Sequence, residues 1–207
     1  MSLIINDEIV AAQLIEERRA KGLDRFDEVW DGVYVMSPLA NNEHQRIAAE
    51  LTGAFLVIVK SRSLGTVYPG ANVSDRNENW NQNFRVPDVL VFLNDTTAED
   101  RGTHWYGGPD FAVEVVSPGD RTLEKLDFYA AVQTRELLVI DRDPWQLSLY
   151  RRNAEGKMEP VGESTLQSGE VINSDVIAAT FSLLQAEKCI RVSEPAGSVI
   201  SEIEISC

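Results

Sequence analysis

Two acidic side chains stand where a folded chain has little reason to leave them. Glu114 lies at the centre of Phe111-Ala-Val-Glu-Val-Val116, an otherwise continuous apolar run, and Asp88 opens a second run of the same kind, Val86-Pro-Asp-Val-Leu-Val-Phe92. Such runs read as strands covered on both faces, where an ionised carboxylate loses much of its hydration energy unless a countercharge restores it. A metal ion supplies that charge most simply, so two acids on neighbouring strands form a candidate cation site. The competing readings are a buried ion pair of Glu114 with Arg85 or Lys125, and an ordinary turn or cap at the Pro87-Asp88 pair.

The elements that must position these acids are legible in outline. Residues 7 to 21 carry the boundary signals of a helix: Asn6 as N-cap, Asp7 and Glu8 in the first turn, Arg18, Arg19 and Lys21 in the last, and Gly22 beyond. Asp31-Gly32 between Phe26-Asp-Glu-Val-Trp30 and Val33-Tyr-Val-Met36 is a two-residue hairpin signal. A second helix begins after Asn41 or Asn42 and runs to about Lys60, with Ala48, Leu51, Phe55 and Ile58 on one face. Thr66-Val-Tyr68 reads as a short strand, residues 74 to 83 as a polar loop, and residues 96 to 108 show no period. After the Glu114 strand, Asp120 is placed to cap a third helix over residues 121 to 133. Leu137-Leu-Val-Ile140 and Trp145-Gln-Leu-Ser-Leu-Tyr150 then form a hairpin at the edge of a sheet, and residues 158 to 188 suggest further short strands. The sum is an α/β core with a mixed central sheet flanked by helices.

Taken together, Arg85-Val-Pro-Asp-Val-Leu-Val, Phe-Ala-Val-Glu114-Val-Val-Ser-Pro-Gly-Asp-Arg, Glu124-Lys-Leu-Asp-Phe-Tyr129, Glu136-Leu-Leu-Val-Ile-Asp141 and the helix opening Asn42-Glu-His44 resemble the Uma-two family of bacterial restriction-endonuclease-like proteins. That family is assigned to the PD-(D/E)XK nuclease superfamily. The resemblance implies a restriction-endonuclease-like core and hydrolysis of phosphodiester bonds in nucleic acid, DNA foremost, dependent on Mg²⁺ or Mn²⁺ held by Asp88 and Glu114. Such ions take hard oxygen ligands, often one or two carboxylates with waters and substrate phosphates. The Val115 carbonyl, beside Glu114 on the same strand, is assigned as a third ligand.

One position departs from the superfamily pattern. The lysine that should stand two residues after the second acid is replaced by Val116, and the resemblance moves that role to Lys125 on the following helix. There Lys125 and Tyr129 lie one turn apart on one face, at the border of the core. A surface lysine paired with Asp120 or Glu124 is the plainer alternative. His44 falls in line with Leu51 and Phe55, either as a boundary histidine or as a contact to the metal or phosphate. Glu50 is either a solvated glutamate or an additional acid from the first core helix. Val116 also leaves open a catalytically inactive relative that binds nucleic acid or a protein partner.

Composition bounds these readings. The chain has 207 residues, 43% hydrophobic and 25% charged, enough for one domain over residues 1–190 with an acidic tail over 191–207. No apolar stretch reaches transmembrane length and the start lacks a basic n-region, so a cytoplasmic protein without a membrane partner is expected. Cys189 and Cys207 are too few for a disulfide framework or a thiolate zinc site. A net charge of −14 argues against clinging nonspecifically to nucleic acid. A homodimer paired through the Trp145 hairpin edge would let such an enzyme cut both strands.

Overall fold

A computed structural model describes residues 8–37, 40–117 and 121–205. Helix α1 (Glu8–Ala20) ends as its sequence dictates: Gly22 takes φ +63°, and Leu23 N–H reaches the Arg18 carbonyl at 2.9 Å across the last turn. Asn6, Asp7 and Asp120, expected at helix starts, lie outside the described residues, as does Cys207. Strands β1 (Glu28–Trp30) and β2 (Val33–Val35) close around Asp31-Gly32, both at positive φ as a tight hairpin requires. Helix α2 (Asn42–Ser61) is capped by the Asn41 side chain, which accepts the His44 N–H at 2.9 Å.

The central sheet is mixed. Its strands are β3 (Gly65–Tyr68), β6 (Val89–Leu93), β9 (Phe111–Val115), β10 (Glu136–Arg142), β11 (Trp145–Arg152) and β12 (Met158–Thr165), in spatial order β12-β11-β10-β9-β6-β3. Only β9 and β10 run parallel, and their connection crosses over through a 3-10 turn (Thr122–Lys125) leading into α3 (Leu126–Ala131). The third helix is therefore shorter than the expected 121 to 133. A second sheet joins β1 and β2 to the short strands β4 (Val73–Ser74), β5 (Phe84–Arg85), β7 (Glu99–Asp100) and β8 (Trp105–Tyr106), two of which lie in the stretch without a period. A third contains β13 (Ile172–Asn173), β14 (Thr180–Leu184), β15 (Cys189–Ser193) and β16 (Val199–Glu204).

Alternation along the central strands divides the core. Val89, Val91, Phe111, Val113 and Val115 face α2, whose Ile47, Leu51, Phe55 and Ile58 are buried against them together with Phe181 and Ile203 of the third sheet. Phe55 meets Phe111 edge-on at 5.5 Å between centroids. On the opposite face, Leu90 and Phe92 pack with Phe128 and Val132, and Ala112 with Tyr129, Leu137 and Val139. Glu114 shares the face of Ala112, so it points to the α3 side.

Two expectations are corrected. The β10–β11 hairpin is not an edge, because β12 pairs with the outer side of β11 along its length, and Trp145 is 8% exposed within the core. Residues 191–205 are not a tail: β15 and β16 pair, and Ile203 and Ile205 are buried at 0% and 3%. Glu202 and Glu204 occupy outward positions of β16, and Glu194, between β15 and β16, pairs with Arg62. Ile203→Ala should therefore cost about 2–5 kcal/mol in urea unfolding, the range for truncating a buried aliphatic side chain; a change within about 0.5 kcal/mol would mean that β16 does not pack.

Candidate active site

The site forms where β6 begins and β9 ends. Pro87 lacks an N–H, so the ladder starts at Asp88, whose N–H reaches the Val113 carbonyl at 3.0 Å. Val89 pairs with Val113, and continuing this antiparallel register by one residue sets Asp88 across from Glu114, the two side chains on one face. Asp88 is fixed at both oxygens: Oδ2 accepts the Val115 N–H at 2.7 Å, and Oδ1 lies 2.8 Å from His44 Nε2. His44 comes from the first turn of α2, and its other nitrogen lies 3.3 Å from Ser117 Oγ. Arg142 holds this helix start against the end of β9 by donating to the Val116 carbonyl at 3.0 Å and to Asn41 Oδ1 at 2.9 Å.

Glu114 is buried and multiply bonded. The Lys125 ammonium donates to its two oxygens at 2.9 and 3.1 Å, and the Tyr129 hydroxyl donates to Oε1. Lys125 also donates to Glu28 Oε1 at 3.0 Å. Glu28 in turn accepts the Val86 N–H at 2.9 Å and the Trp30 indole N–H at 2.7 Å. The side chains of Glu28, Glu114 and Lys125 are 4%, 5% and 8% exposed.

Burial pushes the Glu114 carboxyl up to about 8; the neighbouring Lys125 opposes the shift, the Glu28 and Asp88 charges add to it, and the Tyr129 hydrogen bond opposes it. The same environment holds the Tyr129 hydroxyl well above its ordinary range, through burial and then through Glu114. Arg85, stacked between the Trp30 ring at 4.5 Å and the Phe128 ring at 4.3 Å, is held below the usual guanidinium value by burial.

Asp88, Glu114, Val115, His44 and Lys125 line one cavity of about 250 Å³, and Tyr129 reaches it through Glu114. Glu50 is not brought there: half exposed on the outer side of α2, it pairs with Arg46 at 3.1 Å. Lys125 turns inward, and Glu124 pairs with Arg121 instead. The Glu114–Lys125 contact of the competing reading is therefore present, with Asp88 on the same face of the neighbouring strand. The residue missed in the sequence is Glu28. Its signal was the one that picked out Glu114, an acid inside a strand pattern, hidden by the brevity of the hairpin and by Asp27 next to it.

The donors offered are hard oxygens, which suit Mg²⁺ or Mn²⁺ better than a softer ion. Among the described residues, however, no group of three or more His, Cys, Asp or Glu side chains is arranged as a metal centre. No helix among them is long and apolar enough to cross a membrane.

A mixed sheet with acids at the facing ends of two strands and a lysine on the crossover defines a restriction-endonuclease-like nuclease fold. The chain belongs to the Uma2 family, described as "Putative restriction endonuclease", whose profile matches residues 17–187. A crystal structure from Anabaena variabilis, described as a "putative nuclease belonging to DUF820", superposes with a TM-score of 0.54 at 18% identity, covering 73% of this chain and 83% of that one. This likeness extends the shared fold over most of both chains. A search of curated proteins finds no match.

Lys125→Met would leave two buried carboxylates without their cation and should cost about 3–5 kcal/mol in urea unfolding. The loss should deepen with pH. A folded-state Glu114 value raised above 4.5 contributes stability that is present below that value and lost as pH rises through about 8. Removing the ammonium moves that value higher still. A loss equal at about pH 5 and about pH 8.5 would contradict the assigned coupling.

Proposed function

We propose that the chain is a metal-dependent endonuclease that hydrolyses phosphodiester bonds in DNA in the cytoplasm. The observation that carries this reading is that Asp88 and Glu114, from opposed strand positions, and Lys125, from the crossover, line one cavity. Asp88 and Glu114 would hold Mg²⁺ or Mn²⁺. The Val115 carbonyl is their natural companion: its N–H points toward Asp88, the carbonyl of the same residue points to the same side of the strand, and Pro87 has no N–H to offer it. Bound there, the ion would polarise the scissile phosphate and acidify the attacking water.

The chain's own residues have distinct tasks. Lys125, whose ammonium is held at the cavity wall by Glu28 and Glu114, would stabilise negative charge developing on the phosphate. Tyr129 orients Glu114, and His44 orients Asp88. The existing hydrogen bonds of Glu114 favour a second reading, an inactive relative that keeps the fold and binds nucleic acid or protein.

Cleavage of circular DNA, offered both as duplex plasmid and as single strand, separates the two. The native protein should cut in Mg²⁺ or Mn²⁺ and not in chelator, and Asp88→Ala, Glu114→Gln and Lys125→Met should each lower the rate by on the order of 10²-fold or more. Cleavage that is equal in native protein and Asp88→Ala would overturn the nuclease reading, and DNA binding without turnover in any metal would establish the inactive relative.

A further inference from the structure

The shape and charge of the cavity restrict what can reach these carboxylates. Its walls come from four directions: Arg25 and Phe26 before β1, Trp30 on the hairpin, the first turns of α2, and Pro69-Gly70 after β3. At about 250 Å³ it lies just under the 300–1,000 Å³ of ordinary small-ligand pockets, so it takes one nucleotide-sized group and no length of double helix. Glu114 and Glu28 are nearly wholly buried and Asp88 is 16% exposed. A scissile phosphate must therefore enter the cavity. A duplex carries its phosphates on a wide, stiff body, whereas a single strand bends freely enough to place one phosphate against these recessed carboxylates.

The cavity is also where the acidic excess of the chain is locally cancelled. Of the lining residues Arg25, Arg121 and Lys125 are basic and Glu28, Asp88 and Glu114 acidic, three against three, whereas the whole chain has 19 against 33. Both arginines rest on rings: Arg121 lies 4.7 Å from the Trp30 centroid and Arg25 lies 5.3 Å from that of Phe26. Stacking holds each guanidinium plane in place, and Arg121, which already donates through Nε to Glu124 Oε1 at 2.8 Å, would have to share its donors with a phosphate.

Resting on the nuclease reading above, we propose that the substrate is single-stranded or unpaired nucleic acid. One nucleotide is drawn into the cavity, and Arg25 and Arg121 hold the phosphates on either side of it.

Fluorescence anisotropy in chelator at low salt tests this without turnover, on a single-stranded DNA oligonucleotide, the blunt duplex of the same sequence, and the same strand as RNA. Either single strand should bind at least about tenfold more tightly than the duplex. Arg25→Ala and Arg121→Ala, checked for unchanged thermal melting, should each weaken single-strand binding several-fold and flatten its salt dependence by about one phosphate contact. A duplex bound as tightly as the single strands would overturn the proposed substrate class, and unchanged binding by both arginine variants would overturn their role. Neither outcome depends on cleavage. Failure of the nuclease reading shows separately, as absence of metal-dependent cutting of every one of these substrates.

Discussion

One buried ammonium joins the parts of this molecule. Lys125 sits between Glu114 of the central sheet and Glu28 of the hairpin sheet, within 3.1 Å of each. Each carboxylate is in turn tied to its own surroundings, Glu28 through the Val86 N–H and the Trp30 indole, and Glu114 through the Tyr129 hydroxyl of α3. Two sheets and the crossover thus meet at one charge. In a low-dielectric interior such a contact is strong when complete and costly when any member is missing. Three acids face one lysine here, and burial first, with the Glu28 and Asp88 charges adding to it, holds the Glu114 carboxyl up at about 8.

The position of the cluster follows from where the ladders stop. Pro87 ends the hydrogen bonding of β6, and the Val115 N–H, which would otherwise continue it, turns to the Asp88 side chain. Side chains from both faces of the sheet can reach this open end, which explains how His44, from the helix on one face, and Lys125, from the crossover on the other, come to the same acids. Arg142 at the end of β10 makes the arrangement stiff by binding the Asn41 cap of α2 and the Val116 carbonyl just past the Glu114 strand. Carboxylates held at both oxygens before any ligand arrives are preorganised, and on the proposed nuclease reading little reorganisation would be left for the chemical step.

Much of this was legible because the acids interrupt strong patterns. Glu114 and Asp88 stand out against apolar neighbours, the Asp31-Gly32 turn and the Asn41 cap specify their own geometry, and the apolar face of α2 reads directly from its spacing. Lys125 did not emerge from periodicity; it came from resemblance to a family, since a 3-10 turn of four residues has too little length to declare a buried face. Glu28 was obscured by a strand of three residues, and the second sheet by strands of two, too short to show alternation at all. Composition points the wrong way at the C-terminal segment: residues 193 to 207 hold three glutamates and no basic residue, while the alternation of Ile203 and Ile205 with Glu202 and Glu204 marks a half-buried strand. Glu50 follows its solvated alternative: although it lies one turn from the buried Ile47 and Ala54, its side chain pairs with Arg46 and does not enter the cavity.

The acidic balance and the proposed polyanionic substrate are reconciled by range. At physiological ionic strength exposed charges act over a Debye length of about 8 Å, so an acid on a remote strand contributes little at the mouth of the cavity, where Arg25, Arg121 and Lys125 offset the local carboxylates. What the overall charge of −14 does suppress is the nonspecific affinity that comes from neutralising many phosphates at once. On the proposed reading, a site that grips a few phosphates next to the scissile one, on an acidic body, would bind weakly to bulk duplex and retain contacts only where a strand can enter. The acidic surface then acts as part of the selectivity, because it removes the background against which a narrow, locally neutral cavity would otherwise have to compete.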